Sequence, residues 1–328
     1  MSTVATNSVA LNQSRGAALP SPGLSWGWIA RPVLIASVVP LASVIEAPWV
    51  WAASLLVIGM PHGAYDLAAI HRASQRRAGS TAAVFAVYTA IMLGCVAAFM
   101  LAPTWTLAGF LVLTAHHFGL SDSVATRGGR RHARSVHAAA FARGLVVIAA
   151  PFAFQPELAW EPFAAMSSVA DDPVAVNTGA VRVAAGMIAA GGLLVVASHS
   201  IALASRSMLG EATEELVVPA LVVLVSMVAP PLLVVGVYFV AVHASGHCLR
   251  AVDPVIGGGR ASIRRALHIH RVSSVLLLPS VLIVVGMALG VFGSLQMESL
   301  AYAFILFCVF ATLPHHLLWF FGLPGSRA

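Results

Sequence analysis

The sequence predicts an all-α protein, a polytopic helical membrane bundle, and three observations point to that fold class. Hydrophobic residues make up 59% of the 328 residues and charged residues only 9%, and the mean hydropathy is +0.90. Apolar runs long enough to cross a bilayer recur along the chain. Basic and acidic residues fall in different connecting segments, as in proteins with a fixed membrane orientation. The alternating pattern of a membrane β-barrel is absent.

Ten apolar segments are predicted as helices, and we expect about 8–10 transmembrane helices because Pro230 and Pro231 interrupt one apolar run. The segments are 28–45, 49–70, 81–101, 104–121, 138–155, 180–204, 214–229, 231–249, 273–293 and 299–321. Residues 1–24 lack the pattern of a signal peptide and are predicted to be a mobile N-terminal tail. Residues 25–328 are predicted to form a single transmembrane domain.

The arginines predict the orientation of these segments. With the N-terminus inside, the internal segments contain Arg72, Arg76, Arg77, Arg127, Arg130, Arg131, Arg134, Arg206, Arg250, Arg260, Arg264, Arg265, Arg271 and Arg327. The external segments contain Glu46, Glu157, Glu161, Asp171, Asp172 and Glu298, with Arg182 against the trend. This asymmetry predicts cytoplasmic termini and a multi-pass protein of the inner (cytoplasmic) membrane. The net charge of +6 therefore reflects topology, and no nucleic-acid partner is expected.

Histidine recurs in the second half of four predicted helices. These histidines are His62, His116, His117, His243, His247, His315 and His316. The four helices are the second, fourth, eighth and tenth, and in the predicted topology all of them run from outside to inside. A histidine within a membrane span is costly and usually faces a partner. The simplest common explanation is one metal ion held between helices by neutral imidazoles.

The spacing of the histidines narrows the set of candidate ligands. His243 and His247 are four residues apart, so they share one helical face and can chelate a single ion. His116 and His117 are adjacent and diverge by about 100° around a helix, so only one of them is expected to be a ligand.

Two aspartates follow histidines near the ends of their helices. Asp66 lies four residues after His62, and Asp122 lies five residues after His117. Carboxylates at such positions accept the second N–H of a ligating imidazole and fix its tautomer. His315 follows a helix-bending proline, and the sequence leaves open whether it binds the ion directly or supports a residue that does.

Imidazole ligands suit iron, copper, zinc and nickel alike, so the pattern alone does not select the metal. A haem-binding or metal-transporting membrane bundle is one alternative. A di-iron membrane desaturase or hydroxylase is another, but such sites need about eight histidines in HxxxH and HxxHH clusters, and this chain has one HxxxH. A rhodopsin is excluded because a retinal Schiff base needs a lysine and the chain has none.

Four motifs, taken in order, resemble one known family. They are Pro61-His62-Gly63-Ala64-Tyr65-Asp66, His117-Phe118-Gly119-Leu120-Ser121-Asp122, His243-Ala244-Ser245-Gly246-His247 and Pro314-His315. Over about residues 45–321 the chain resembles the Brp/Blh family, bacteriorhodopsin-related membrane proteins that act as β-carotene 15,15′-dioxygenases. The resemblance implies a membrane enzyme that uses Fe(2+) and O2 to split the central double bond of β-carotene into two all-trans-retinal molecules.

The resemblance also implies roles for individual residues in this catalytic domain. His62, His117, His243 and His247 become the catalytic iron ligands, with His315 a further candidate. Asp66 and Asp122 are expected behind the imidazoles. A carotenoid dissolved in the lipid bilayer needs an apolar tunnel, and aromatic candidates to line it are Trp51, Tyr65, Phe110, Phe118, Tyr238, Phe239, Phe304 and Trp319. Whether the retinal supplies a rhodopsin of the same cell stays open.

Overall fold

Helices dominate a computed structural model of the protein, which describes residues 26–66, 81–123, 134–170, 176–248 and 263–318. In chain order the helices are α1 (Trp26–Ala36), α2 (Val38–Leu41), α3 (Ala47–Val57), α4 (Gly59–Ala64), α5 (Thr81–Leu101), α6 (Pro103–Asp122), α7 (Arg134–Phe154), α8 (Pro156–Ser167), α9 (Thr178–Ala204), α10 (Leu209–Ser226), α11 (Pro231–Tyr238), α12 (Ile263–Phe292) and α13 (Met297–Leu317). A 3-10 turn, Ser168–Ala170, follows α8, and a π-helical segment, Phe239–Ala244, continues α11. The tail predicted at 1–24 lies outside the described residues.

Six of the described helical segments are long and apolar enough to cross a membrane. They are Thr81–Leu101, Val136–Phe154, Thr178–Ala204, Pro231–Cys248, Ser273–Phe292 and Met297–Leu317. The segment that begins at Pro231 is the most enclosed, with 72% of its residues buried, whereas 6% of α5 is buried. The first therefore lies at the centre of a bundle whose periphery includes α5. These features confirm the predicted multi-pass helical membrane fold.

The second predicted helix is broken in the structure. It divides into α3 and α4 at Ile58, whose φ of −151° and ψ of −29° are not helical. Pro61 explains the break because it has no N–H to donate to the carbonyl of Val57, four residues earlier. The short helix α4 thus takes its own direction, which places His62 inside the bundle.

One helix was not predicted from the apolar runs. Helix α8 is only 12 residues long and carries Glu157 and Glu161, so it has no continuous apolar run. Its start is nevertheless marked in the sequence, because Pro156 occupies the first turn and Glu157 follows it. The buried side chains of α8 belong to the hydrophobic core of the bundle, and the helix is not among the six long apolar segments.

Helices α6 and α7 approach each other unusually closely through glycine. A Cβ atom added at Gly119 would lie 2.0 Å from the carbonyl oxygen of Ala140. A Cβ atom at Gly144 would lie 1.7 Å from the carbonyl oxygen of Ala115. Small residues allow this backbone contact, which in membranes replaces the hydrophobic force between helices. The contact fixes the rotation of α6, and therefore the direction of the side chains near its end.

Gly119→Ala is expected to destabilise this helix pair by about 1–3 kcal/mol, because the added methyl group must displace the backbone of α7. Gly109→Ala is the matched control on α6, since nothing lies within 4 Å of a Cβ atom there. The control should be neutral or stabilising, as alanine favours helices. Thermal unfolding in detergent checks both, and equal melting temperatures for the two variants would contradict the close contact.

Candidate metal centre

Five histidines from four parts of the fold meet inside the bundle. His62 comes from α4, His117 from α6, both His243 and His247 from the continuous segment Pro231–Cys248, and His315 from α13. Each of the five is at most 9% exposed. We refer to these five residues as the histidine cluster. These residues are up to about 250 positions apart in the sequence. They meet because their helices pack against one another and carry the histidines at a similar depth in the bundle.

The rings of the histidine cluster have a regular arrangement. Four of them form a closed ring, from His62 to His243, His117, His315 and back, with successive centroids 5.4, 4.8, 5.0 and 5.3 Å apart. The fifth, His247, has centroid distances of 5.1–6.2 Å to all four. His247 therefore lies on one side of a four-membered ring of imidazoles, and the opposite side of that ring is left without a histidine from the cluster.

These distances suit a shared metal ion. Imidazoles that bind one ion through nitrogens about 2.0–2.1 Å away have ring centroids roughly 5 Å apart. The Nε2 atom of His117 is buried and makes no hydrogen bond in the described part of the chain, although a buried polar atom normally has a partner. In those same ranges no group of three or more His, Cys, Asp or Glu side chains is placed so that it could hold a metal ion without side-chain adjustment. The donor set fits a metal, whereas metal binding itself stays a prediction.

Asp66 contacts an imidazole other than the one that its sequence position suggested. Its Oδ2 atom accepts a hydrogen bond from Nδ1 of His315, 2.7 Å away, and another from the hydroxyl of Tyr88 at 3.0 Å. Nδ1 of His62 instead lies against the carbonyl oxygen of Gly59. The pairing of Asp66 with His62 was wrong because packing between helices, and not the four-residue spacing, decides which imidazole the carboxylate meets.

Asp122 repeats this arrangement on the other side of the cluster. Its Oδ2 atom lies 3.3 Å from Nδ1 of His243 and accepts a hydrogen bond from the hydroxyl of Tyr238 at 3.0 Å. Both aspartates are 1% exposed, so each carboxylate is buried with an imidazole and a phenol. Tyr88 was not predicted, because a tyrosine in an apolar helix does not by itself indicate a partner and Asp66 lies in a different segment.

The adjacent histidines of α6 are separated as expected, and only His117 belongs to the cluster. His116 is directed to His316, with 3.2 Å between Nδ1 and Nε2, and Nδ1 of His316 lies 3.0 Å from Nδ1 of His117. His316, which was not a predicted site residue, thus connects the two. Its position directly after His315 was the available signal.

An apolar cavity reaches the histidine cluster. It is lined by Trp51, His62, Phe110, Leu111, Thr114, His117, Phe118, Ile148, Pro151, Phe152, Leu158, Ala159, Pro162, Phe163, Pro231, Leu232, Val235, Phe239, His243, Ile305, Cys308, Thr312 and His315. The four histidines of the closed ring are in this lining and His247 is not. The cavity therefore meets the cluster on the side opposite His247.

The predicted aromatic residues divide into three groups. Trp51, Phe110, Phe118 and Phe239 line the cavity. Tyr65, Tyr238 and Phe304 are buried but do not line it, and the second of these supports Asp122 instead. Trp319 lies outside the described residues. Seven of the lining residues that were not predicted come from α7 and α8, which carry none of the cluster histidines, and the others come from α6, α11 and α13.

Comparisons with known proteins give one family. The family model for beta-carotene 15,15'-dioxygenase matches residues 53–321, which include the whole histidine cluster and both aspartates. No curated protein and no solved structure matches the chain. The family match covers well over half of the chain and confirms the resemblance to the Brp/Blh family. The chain therefore belongs to the β-carotene 15,15′-dioxygenase family, and it is an enzyme with that activity.

Proposed function

We propose that the protein is an Fe(II)-dependent enzyme of the inner membrane that cleaves β-carotene with O2 into two all-trans-retinal molecules, and that the histidine cluster binds the iron. The observation that carries the proposal is the junction between cavity and cluster. An apolar cavity ends on four imidazoles, and a fifth imidazole lies behind them. This arrangement would leave the cavity side of the ion open to the reactants.

The cavity supports a hydrocarbon substrate. Its lining is almost entirely apolar, and β-carotene offers no hydrogen-bonding group, so binding depends on contact area and shape. Trp51 and Phe239 stack with ring centroids 5.6 Å apart, and Phe118 lies 4.3 Å from the ring of His243. These aromatic faces flank the cluster end of the cavity. They would hold the central double bond beside the histidines and exclude water from it.

Hydrogen bonds behind the cluster orient three of its imidazoles for metal binding. Nδ1 faces an acceptor in His62, His243 and His315, namely the Gly59 carbonyl, Asp122 and Asp66. A proton held at Nδ1 leaves Nε2 as the lone-pair donor, and a carboxylate partner makes that nitrogen more basic. Fe(II), when bound, would supply the activation of O2. The residues of the chain supply the ligands, their tautomers and the position of the alkene.

Product analysis in bacteria that synthesise β-carotene tests the reaction. Cells that express the protein should lose β-carotene and gain all-trans-retinal, and chelation of iron in their isolated membranes should stop the conversion until Fe(II) is restored. Apocarotenals from an off-centre double bond would contradict central cleavage. Retinal formation that survives complete removal of iron would contradict the metal assignment, and an intense haem absorption band in purified protein would favour the haem-binding alternative.

Asp66→Asn is expected to lower iron affinity or turnover about 10- to 100-fold, the usual effect of losing a carboxylate behind a metal ligand. The reason is that His315 would lose its carboxylate acceptor while the imidazole itself remains. Glu298→Gln is a suitable control, because Glu298 is a carboxylate in the first turn of α13, far along that helix from His315. Turnover of Asp66→Asn within twofold of wild type at normal expression would reject this role for Asp66.

A further inference from the structure

An arginine is completely buried in the middle of a membrane-spanning helix. Arg143 lies on α7, its relative exposure is 0%, and it neither lines the cavity nor belongs to the histidine cluster. A charged side chain at such a place is costly and is normally kept for a functional reason. Its Nε and Nη2 atoms make no hydrogen bond in the described part of the chain, so helix packing alone does not account for the guanidinium.

On one side, Arg143 is held by α10. Its Nη1 atom donates to the carbonyl oxygen of Glu215 at 2.8 Å and lies 3.5 Å from the Oε2 atom of the same residue. Both side chains of this ion pair are fully buried. The other carboxylate oxygen of Glu215 accepts a hydrogen bond of 2.7 Å from the hydroxyl of Ser123. Ser123 is the residue that caps the end of α6 and directly follows Asp122.

The charge of Arg143 also acts on the residues behind His243. The guanidinium interacts electrostatically with both Asp122 and Tyr238. Tyr238 donates to Asp122, and Asp122 is the hydrogen-bond partner of His243. The ion pair is therefore connected to Asp122 in two ways. Glu215 accepts a hydrogen bond from Ser123, the neighbour of Asp122 in the sequence, and the charge of Arg143 acts directly on Asp122.

We propose that Arg143 and Glu215 are positioning residues for the dioxygenase reaction, which hold Asp122 and Tyr238 so that His243 is fixed at the end of the cavity. The proposal rests on the role proposed above for the histidine cluster. Asp122 contacts the imidazole of His243 and experiences the charge of Arg143, and the hydrogen bond from Ser123 to Glu215 ties the residue next to Asp122 to α10. Reactivity depends on such placement of ligands to within a fraction of an ångström.

A neighbouring ion pair supplies a matched control. Glu214 precedes Glu215 on α10 and pairs with Arg31 at 2.6 Å. That pair joins α10 to α1, whereas the pair of Arg143 and Glu215 joins α10 to α7 and to the end of α6. Both pairs are largely buried, so both should contribute to stability. Only the second is connected to Asp122 by Ser123.

The test compares Arg143→Gln, Arg143→Lys and Glu215→Gln with Glu214→Gln in the purified full-length protein. Arg143→Gln and Glu215→Gln should lower kcat about tenfold or more, as expected for a residue that acts through a ligand's partner. The KM for β-carotene should stay near the wild-type value, because neither residue lines the cavity. Arg143→Lys keeps the cation and should retain more of the wild-type kcat than Arg143→Gln. Glu214→Gln leaves the main-chain carbonyl that accepts from Arg143 in place and removes only the partner of Arg31, so it should keep the wild-type kcat.

Thermal unfolding and metal analysis separate the possible outcomes. A wild-type kcat in Arg143→Gln would overturn the proposal. So would kcat losses in Arg143→Gln and Glu214→Gln that are both in proportion to the fall in melting temperature, because the loss would then reflect stability alone. If Arg143→Gln does not fold, Ser123→Ala decides: a reduced kcat at unchanged KM supports the tether, and an unchanged kcat overturns it. Iron per chain is measured in parallel. A wild-type enzyme that is active without iron would refute the metal assignment. A kcat loss confined to the Arg143 and Glu215 variants would still support their role in positioning Asp122 and His243.

Discussion

Alanine in place of His117 is expected to abolish the formation of retinal and to remove iron from the purified protein. His117 lies between two neighbours in the closed ring, with centroid distances of 4.8 Å to His243 and 5.0 Å to His315. Its buried Nε2 atom has no hydrogen bond in the described residues and is therefore available to an ion. Loss of this imidazole removes one of the four histidines that line the cavity and leaves the metal with an incomplete set of ligands.

His199→Ala is the matched control for this loss. His199 lies on α9, outside the histidine cluster and the cavity lining, so its replacement should leave both iron content and turnover near wild type. Metal analysis and retinal quantification on equal amounts of folded protein compare the two variants. Normal iron content together with normal turnover in His117→Ala would show that the cluster is not the metal site.

Ala159→Phe is expected to block the cavity without disturbing the metal. Ala159 lines the cavity from α8, which contributes no cluster histidine, and its side chain is 6% exposed. A phenyl ring there would displace roughly 150 Å² of contact with the polyene. At about 25 cal/mol per Å² this loss is about 3–4 kcal/mol, or more than 100-fold in kcat/KM.

The control for the blocked cavity is Ala190→Phe, which places the same side chain on an exposed position of α9. It should keep wild-type kinetics, and both variants should keep the wild-type iron content because the histidine cluster is unchanged. Steady-state kinetics with β-carotene in detergent micelles measures the difference. A kcat/KM for Ala159→Phe close to that of Ala190→Phe would show that the polyene binds elsewhere.

The sequence predicted the parts of the site that depend on position along a helix. The common depth of His62, His117, His243 and His315 followed from their place in the second half of four helices that run in the same direction, and the structure brings these side chains together. The shared face of His243 and His247 followed from their four-residue spacing in the same way. Such predictions succeed because the rise and the turn of a helix are fixed by the backbone.

Contacts between side chains of different helices depend on how each helix is rotated, and they could not be predicted in this way. Asp66 was assigned to His62 on the same segment, but the proline break before α4 turns that short helix and Asp66 meets His315 of α13. The close contact of α6 with α7 at Gly119 similarly selects the direction of Asp122, and one sequence does not reveal which helices will touch.

The sequence contained evidence for the buried charges, but the segmentation by apolar runs did not use it. Arg143 interrupts an otherwise apolar predicted helix, and an arginine there indicates a buried partner. Glu215, 72 residues later, is its partner, but Glu214 and Glu211 beside it were equally plausible from sequence. The choice among them is made by the packing of α7 against α10, which only the structure provides.

X-ray absorption at the iron edge of the purified, active protein is the most direct test of the central claim, that the histidine cluster binds the catalytic iron at the end of the carotenoid cavity. We expect one iron per chain, with nitrogen and oxygen neighbours, the outer scattering pattern of several imidazole rings, and a loss of that signal in His117→Ala. Sulfur or porphyrin scattering, or an active protein with no iron at this site, would contradict the account.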